Sequence, residues 1–259
     1  SLRKGIPPEK GVELYSVGNE KLFEGIKLHH LARIKLMGKI RFVSGSWGNG
    51  KTHFFRIIRD MAFAENCAVS NVELSVNEAP LNKFEKVFYR IVRNISTMKF
   101  FDDQSSGVVP FGDLIEESLR HLGNYTSESI NHEQYSKAVS TLMVDKGIDI
   151  DFKKMIQHYW NTYLPESADN VMLEQQRAEI LQWFSGEGAI GAYRKRFQIN
   201  KMINKENAKL MLQSLVKFIK LAGYNTETYS NMNGEEISNY FFKEVRPDIF
   251  KNAGNHCPS

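Results

Sequence analysis

Apolar residues recur at helical spacing along most of this chain and alternate clearly in one stretch only. Leu22, Phe23, Ile26, Leu28, Leu31 and Ile34 define one face of a helix from Lys21 to Lys35, opened by Gly18-Asn19-Glu20. Ile40-Arg41-Phe42-Val43 reads as a short buried strand, and apolar residues at helical spacing follow from Thr52 to about Glu65. Ala68 to Val76 alternates and runs into the turn-forming Asn77-Glu78-Ala79-Pro80, which marks a second strand. A helix crossing between the two strands gives a right-handed βαβ unit. Leu81 to about Ile95 forms a further helix, with Phe84, Val87, Phe88, Ile91, Val92 and Ile95 on one side.

The pattern breaks over 101–112, where Ser105-Ser106-Gly107 and Pro110 read as a linker. From Asp113 to Leu221 the periodicity is helical, in segments near 113–122, 132–145, 151–163, 169–184, 188–197 and 205–221. Asn225 to Asn231 is polar and carries no strand pattern, and Ile237 to Ile249 can form a short helix. The expected organisation is therefore 1–100 as an α/β core, 101–112 as a linker, 113–223 as a mainly helical region, and 224–259 as a divergent or truncated tail.

Between the first strand and the helix after it lies Gly45-Ser46-Trp47-Gly48-Asn49-Gly50-Lys51-Thr52, which matches G-x-x-x-x-G-K-T in full. Glycines at 45, 48 and 50 let the backbone turn its N–H groups inward around a phosphate. The following helix adds its positive amino end. Lys51 reaches the β- and γ-phosphates as a mobile charge, and the Thr52 hydroxyl is placed to ligate Mg²⁺. A glycine turn that merely matches the pattern is the bland alternative, and the flanking strand and helix weigh against it. His53 caps or covers the nucleotide, and Trp47 shields the phosphates. The sequence thus predicts a P-loop that binds ATP or ADP with Mg²⁺.

Composition adds bounds. With 259 residues and 42% hydrophobic content, the chain can bury a substantial core. No apolar run approaches the roughly 18 residues needed to cross a bilayer, and the amino terminus lacks a signal peptide, so a cytoplasmic protein with no membrane partner is expected. Cys67 and Cys257 cannot form a disulfide framework or a zinc site by themselves, and His29, His30 and His256 have no metal-ligand spacing. The net charge of +4 is mild, but Arg194, Lys195, Arg196, Lys201, Lys205, Lys209, Lys217 and Lys220 face the single acid Glu206 between 190 and 221. Such a stretch can follow a phosphate backbone, although a solvated helix face is the commoner account. Tyr193 and Phe197 read as core residues within it.

Several motifs together resemble the ATP-binding P-loop proteins of bacterial phage-exclusion (BREX) defence clusters, a branch of the AAA+ ATPases similar to origin-recognition and STAND proteins. They are Gly5-Ile6-Pro7-Pro8, Val17-Gly18-Asn19-Glu20, the strand and Walker A loop, Glu73 to Leu81, and Phe84 to Asn94. The resemblance implies a P-loop NTPase fold of the AAA+/ASCE type, with a parallel sheet and flanking helices. It implies Val17 and Gly18 near the adenine, with Asn19 standing where related proteins carry arginine. Glu78, at the end of the second strand, could polarise water or contact Mg²⁺, but an exposed turn carboxylate is the commoner explanation. DNA, other defence proteins and an oligomeric ring are the implied partners.

Hydrolysis in this class needs an apolar strand ending in Asp-Glu. In the resembled family that strand follows a Leu-Gly-Tyr-like turn, matched here by Leu221-Ala222-Gly223-Tyr224. The residues that follow are polar instead. The nearest substitute, Leu142-Met143-Val144-Asp145, reads as a helix end. Three functions stay open: an ATPase subunit or switch in phage defence, a nucleotide-binding module without efficient turnover, and a small-molecule kinase.

Overall fold

The computed structural model describes residues 18, 20–29, 31, 43, 48, 50–74, 80, 82–98, 110–126, 129–164 and 170–231. Within them run α1 (Glu20–His29), α2 (Lys51–Ala64), β1 (Cys67–Glu73), α3 (Phe84–Arg93), β2 (Ile95–Ser96), α4 (Pro110–Gly123), α5 (His132–Val144), α6 (Ile150–Asn161), α7 (Asn170–Phe184), α8 (Ile190–Phe197), α9 (Ala208–Leu221) and β3 (Asn225–Asn231). The strand expected at Ile40–Val43 lies outside the described residues except for Val43, and so does the expected helix at 237–249.

β1 alternates as a strand buried on both faces must. Cys67 and Val69 pack with Leu31, Ala62 and Phe63 on the α1 and α2 side. Ala68, Val72 and Leu74 pack with α3 and the helical region. Ser70 sits on that second face and donates its hydroxyl to the Ile91 carbonyl at 2.9 Å, so its polar atom is satisfied while buried.

The described sheet has the order β2-β1-β3 and is mixed. β2 pairs antiparallel with β1, and β3 pairs parallel with it from Cys67↔Asn225 to Glu73↔Asn231. Among the described residues the sheet is small, with one parallel and one antiparallel pair, in a mostly helical arrangement. Two expectations are corrected here. The helix expected to reach Ile95 ends at Arg93, and Ile95 passes into β2. The polar segment from Asn225 to Asn231 is a strand.

Backbone pairing explains that last departure, because ladder hydrogen bonds do not depend on side-chain polarity. The junction is also locked. Asn225 donates its backbone N–H to the Asn66 carbonyl at 3.0 Å and its side-chain amide to the Glu65 carbonyl at 2.9 Å. Asn66 donates its side-chain amide to the Gly223 carbonyl at 2.9 Å, from a left-handed backbone (φ 56) that asparagine tolerates well.

The helical region follows the expected segments closely, although the presumed linker 101–112 gives way to α4 from Pro110. Asp145 is the C-cap of α5, so the Leu142–Asp145 segment is a helix end. The core is aromatic: Phe152 meets Phe184 edge to face at 5.0 Å between centroids, Phe184 meets Phe111 at 4.9 Å, and Trp160 lies fully buried against Phe218. The Trp160 indole N–H is satisfied by the Ile115 carbonyl at 2.8 Å. Tyr193 and Phe197 are core residues, as the periodicity predicts.

One buried carboxylate organises the far side of this core. Asp151, 1% exposed, accepts hydrogen bonds from the backbone N–H groups of Asn200 (3.1 Å) and Lys201 (3.2 Å) and from the Asn200 side-chain amide (3.2 Å). It ties the first turn of α6 to the segment between α8 and α9. Asp151→Ala leaves those donors without an acceptor and is expected to lower unfolding free energy by about 2–4 kcal/mol, read from the urea midpoint. A midpoint equal to the parent's would show that the segment holds without this carboxylate.

Candidate functional site

Helix α2 begins at Lys51 directly after a left-handed turn. Gly48 has φ +86 and Gly50, the N-cap, has φ +76 and ψ 17. Most side-chain-bearing residues enter this region only with strain, so glycine at both positions has a physical reason. The Phe54 N–H closes the first helical bond onto the Gly50 carbonyl at 2.9 Å. The N-cap residue Gly50 supplies no side-chain cap, and the first turn contains no acidic residue. The positive amino end of α2 is therefore not neutralised from within the helix, an arrangement that suits an anion.

Lys51 and His53 are half-buried in that first turn and Thr52 is exposed. The first carboxylate along α2 is Asp60, which is bonded by Arg59 at 2.9 Å. Helix α1 flanks the turn. Phe23 stacks on Phe54 at 5.7 Å with an interplanar angle of 27°, while Lys27 lies 3.7 Å from Glu65 at the other end. The two helices thus run in the same sense, and Gly18, just ahead of α1, lies toward the amino end of α2. Gly18 has φ +91, and its N–H donates to the Glu20 carboxylate at 3.0 Å, which holds that carboxyl below its usual pKa.

Of the residues singled out from sequence, Gly18, Gly48, Gly50, Lys51, Thr52 and His53 are thereby located. Val17, Gly45, Ser46, Trp47, Asn49 and Glu78 lie outside the described residues. Among the described residues no group of three or more His, Cys, Asp or Glu is placed to hold a metal ion. No helix among them is long and apolar enough to cross a membrane.

A cleft of about 330 Å³ opens at the other end of α2, lined by Asn66, Glu117, Arg120, His121, Gly223 and Tyr224. Its charges are already taken up, since Arg120 binds Glu116 at 2.9 Å and the Tyr224 hydroxyl donates to Glu117. Burial and the Glu117 carboxylate hold the Tyr224 phenol well above its usual range.

The family model for BREX system ATP-binding protein BrxC/D matches residues 1–226. The chain belongs to this family. No curated protein and no solved structure matches it. Membership in the BrxC/D family makes the chain an ATP-binding member of BREX phage defence. The matched span contains Gly45 to Thr52 and stops at Thr226, inside β3.

The feature that sequence reasoning missed is β3. Thr226 and Thr228 with Tyr229 are strand-favouring residues, but the segment has no aliphatic alternation to announce a buried strand. For Gly50→Ala, an added Cβ would meet nothing within 4 Å, so the cost is backbone strain alone. The expected loss is about 1–2 kcal/mol in urea unfolding. An unchanged midpoint would mean that the turn relaxes to a right-handed backbone.

Proposed function

We propose that Gly45 to Thr52 forms the phosphate cradle for Mg²⁺–ATP and that the chain acts as a nucleotide-responsive switch with little or no hydrolysis of its own. The observation that carries this reading is the start of α2 at Lys51, immediately after the left-handed glycines 48 and 50, with no acid in its first turn. In this reading the Lys51 ammonium neutralises the β- and γ-phosphates, the Thr52 hydroxyl ligates Mg²⁺, and α2 presents its amino-terminal N–H groups. Val17, Gly18, Ser46, Trp47, Asn49 and His53 complete the cradle around the base and phosphates. The 1–100 segment would be the nucleotide core and 113–223 the helical region that responds to it.

Low turnover is argued from β3. It follows the Leu221–Tyr224 turn and lies parallel beside β1, where the resemblance expects an acidic strand. Its sequence, Asn225-Thr226-Glu227-Thr228-Tyr229-Ser230-Asn231, carries one carboxylate in mid-strand and ends in Ser-Asn. Within the described strand no Asp-Glu pair stands at the carboxyl end to hold Mg²⁺ and orient an attacking water. Glu78 remains the candidate for the water-polarising role. This arrangement favours a switch over a motor.

Calorimetric titration of Mg²⁺–ATP into the parent and Lys51→Ala, with phosphate release followed in the same samples, tests both halves. The parent should bind without release above background. Lys51→Ala should bind at least about tenfold more weakly, since charge-assisted contacts contribute roughly 1.5–3 kcal/mol, while its unfolding midpoint stays near the parent's. Equal affinity in the two proteins overturns the cradle, and steady phosphate release by the parent overturns the switch.

A further inference from the structure

We infer that the exposed lysine stripe of α9, joined by Lys146 from the turn between α5 and α6, is a docking surface for the phosphate backbone of duplex DNA. Lys209, Gln213, Lys217 and Lys220 are all exposed and recur at one-face helical spacing. At 1.5 Å per residue the stripe from Lys209 to Lys220 is roughly 16 Å long. A Cβ placed on Gly147 would run into the Lys217 side chain, so that ammonium rests against the turn carrying Lys146. The Asp149 N–H, bonded to the Ser214 hydroxyl at 2.9 Å, pins the same turn onto α9. None of Lys146, Lys209, Lys217 and Lys220 forms an ion pair among the described residues.

The carboxylates of this neighbourhood are turned to other work. Asp145 accepts the Gly147 N–H at 2.7 Å. Asp149 caps α6 through the Asp151 N–H at 2.9 Å and pairs with Lys201 at 3.0 Å. Asp151 is buried on the Asn200–Lys201 backbone. The fold thus spends its acids on backbone N–H groups and leaves the lysines outward. Among the described acids nearby, Glu206, exposed just ahead of α9, has no such role.

The shape of the surface selects the partner. Met211, Leu215, Phe218 and Ile219 of α9 are buried in the core, and Leu210, at 41%, is its one exposed apolar residue, too little to make an apolar face for a membrane. Its only aromatic residue is the buried Phe218, so single-stranded bases find nothing to stack on. What remains is a narrow row of flexible cations, which fits the regular phosphates of a duplex and reads no sequence.

Fluorescence anisotropy of the whole chain with a labelled mixed-sequence duplex of about 30 base pairs, over a KCl series, tests this directly. The parent should bind, with log K falling linearly against log salt. The quadruple variant Lys146→Gln, Lys209→Gln, Lys217→Gln, Lys220→Gln should lose about 3.6 from the magnitude of that slope, at roughly 0.9 per phosphate, and weaken binding at least about tenfold. The four matching Lys→Arg changes should keep both. No duplex binding by the parent at low salt, parent-like binding by the Gln variant, or binding to phosphatidylserine vesicles in place of duplex would each overturn the proposal. Mg²⁺–ATP titration of the same proteins keeps the two readings separable, because the stripe is remote in sequence from Lys51 and either activity can fail alone.

Discussion

The burial of β1 on both faces is the constraint on which the described fold depends. Cys67 and Val69 belong to the small cluster with α1 and α2, while Ala68, Val72 and Leu74 belong to the large cluster that runs through α3 to α9. A strand of seven residues therefore joins the helix that starts at the glycine turn to the whole aromatic core. Because its side chains alternate strictly, a slip of one residue would exchange the two sets and expose Ser70 to the wrong partner. The hydroxyl bond from Ser70 to Ile91 and the pairing of Val69 with Ser96 help to hold that register.

The same strand relates the two ends of α2. At one end stand Gly50 and Lys51, where positive backbone φ and an uncapped amino terminus leave a place for negative charge. At the other, Asn66 turns the chain into β1 and simultaneously receives β3 through Gly223 and Asn225. A shift of α2 along its axis would therefore be felt at the β1–β3 junction as well as in the small cluster. That coupling runs through direct packing and hydrogen bonds between named residues, which gives a switch a physical route.

How much of this was legible in sequence depended on what kind of force makes each element. Helices held by apolar faces, such as α3 with Val87, Phe88, Ile91 and Val92, announce themselves by periodicity. The glycine turn was legible because left-handed backbone restricts residue choice at positions 48 and 50. β3 was not, because its place comes from main-chain pairing and from the amides of Asn66 and Asn225, neither of which leaves an aliphatic pattern. Asp151 was likewise hidden, since a buried carboxylate that serves backbone N–H groups looks in sequence like one more acid in a helix's first turn.

The parallel pairing of β1 with β3 joins residues that stand far apart in the chain; the Asn66 side chain and Gly223 are separated by 157 positions. On a ribosome adding about 5–20 residues per second, β1 emerges roughly 10–30 s before its partner. For that interval the β3-facing edge of β1 presents unpaired N–H and C=O groups, the feature that invites strand addition by another molecule. The intervening helices have time to collapse first, and closure of the sheet becomes the late, slow step in maturation.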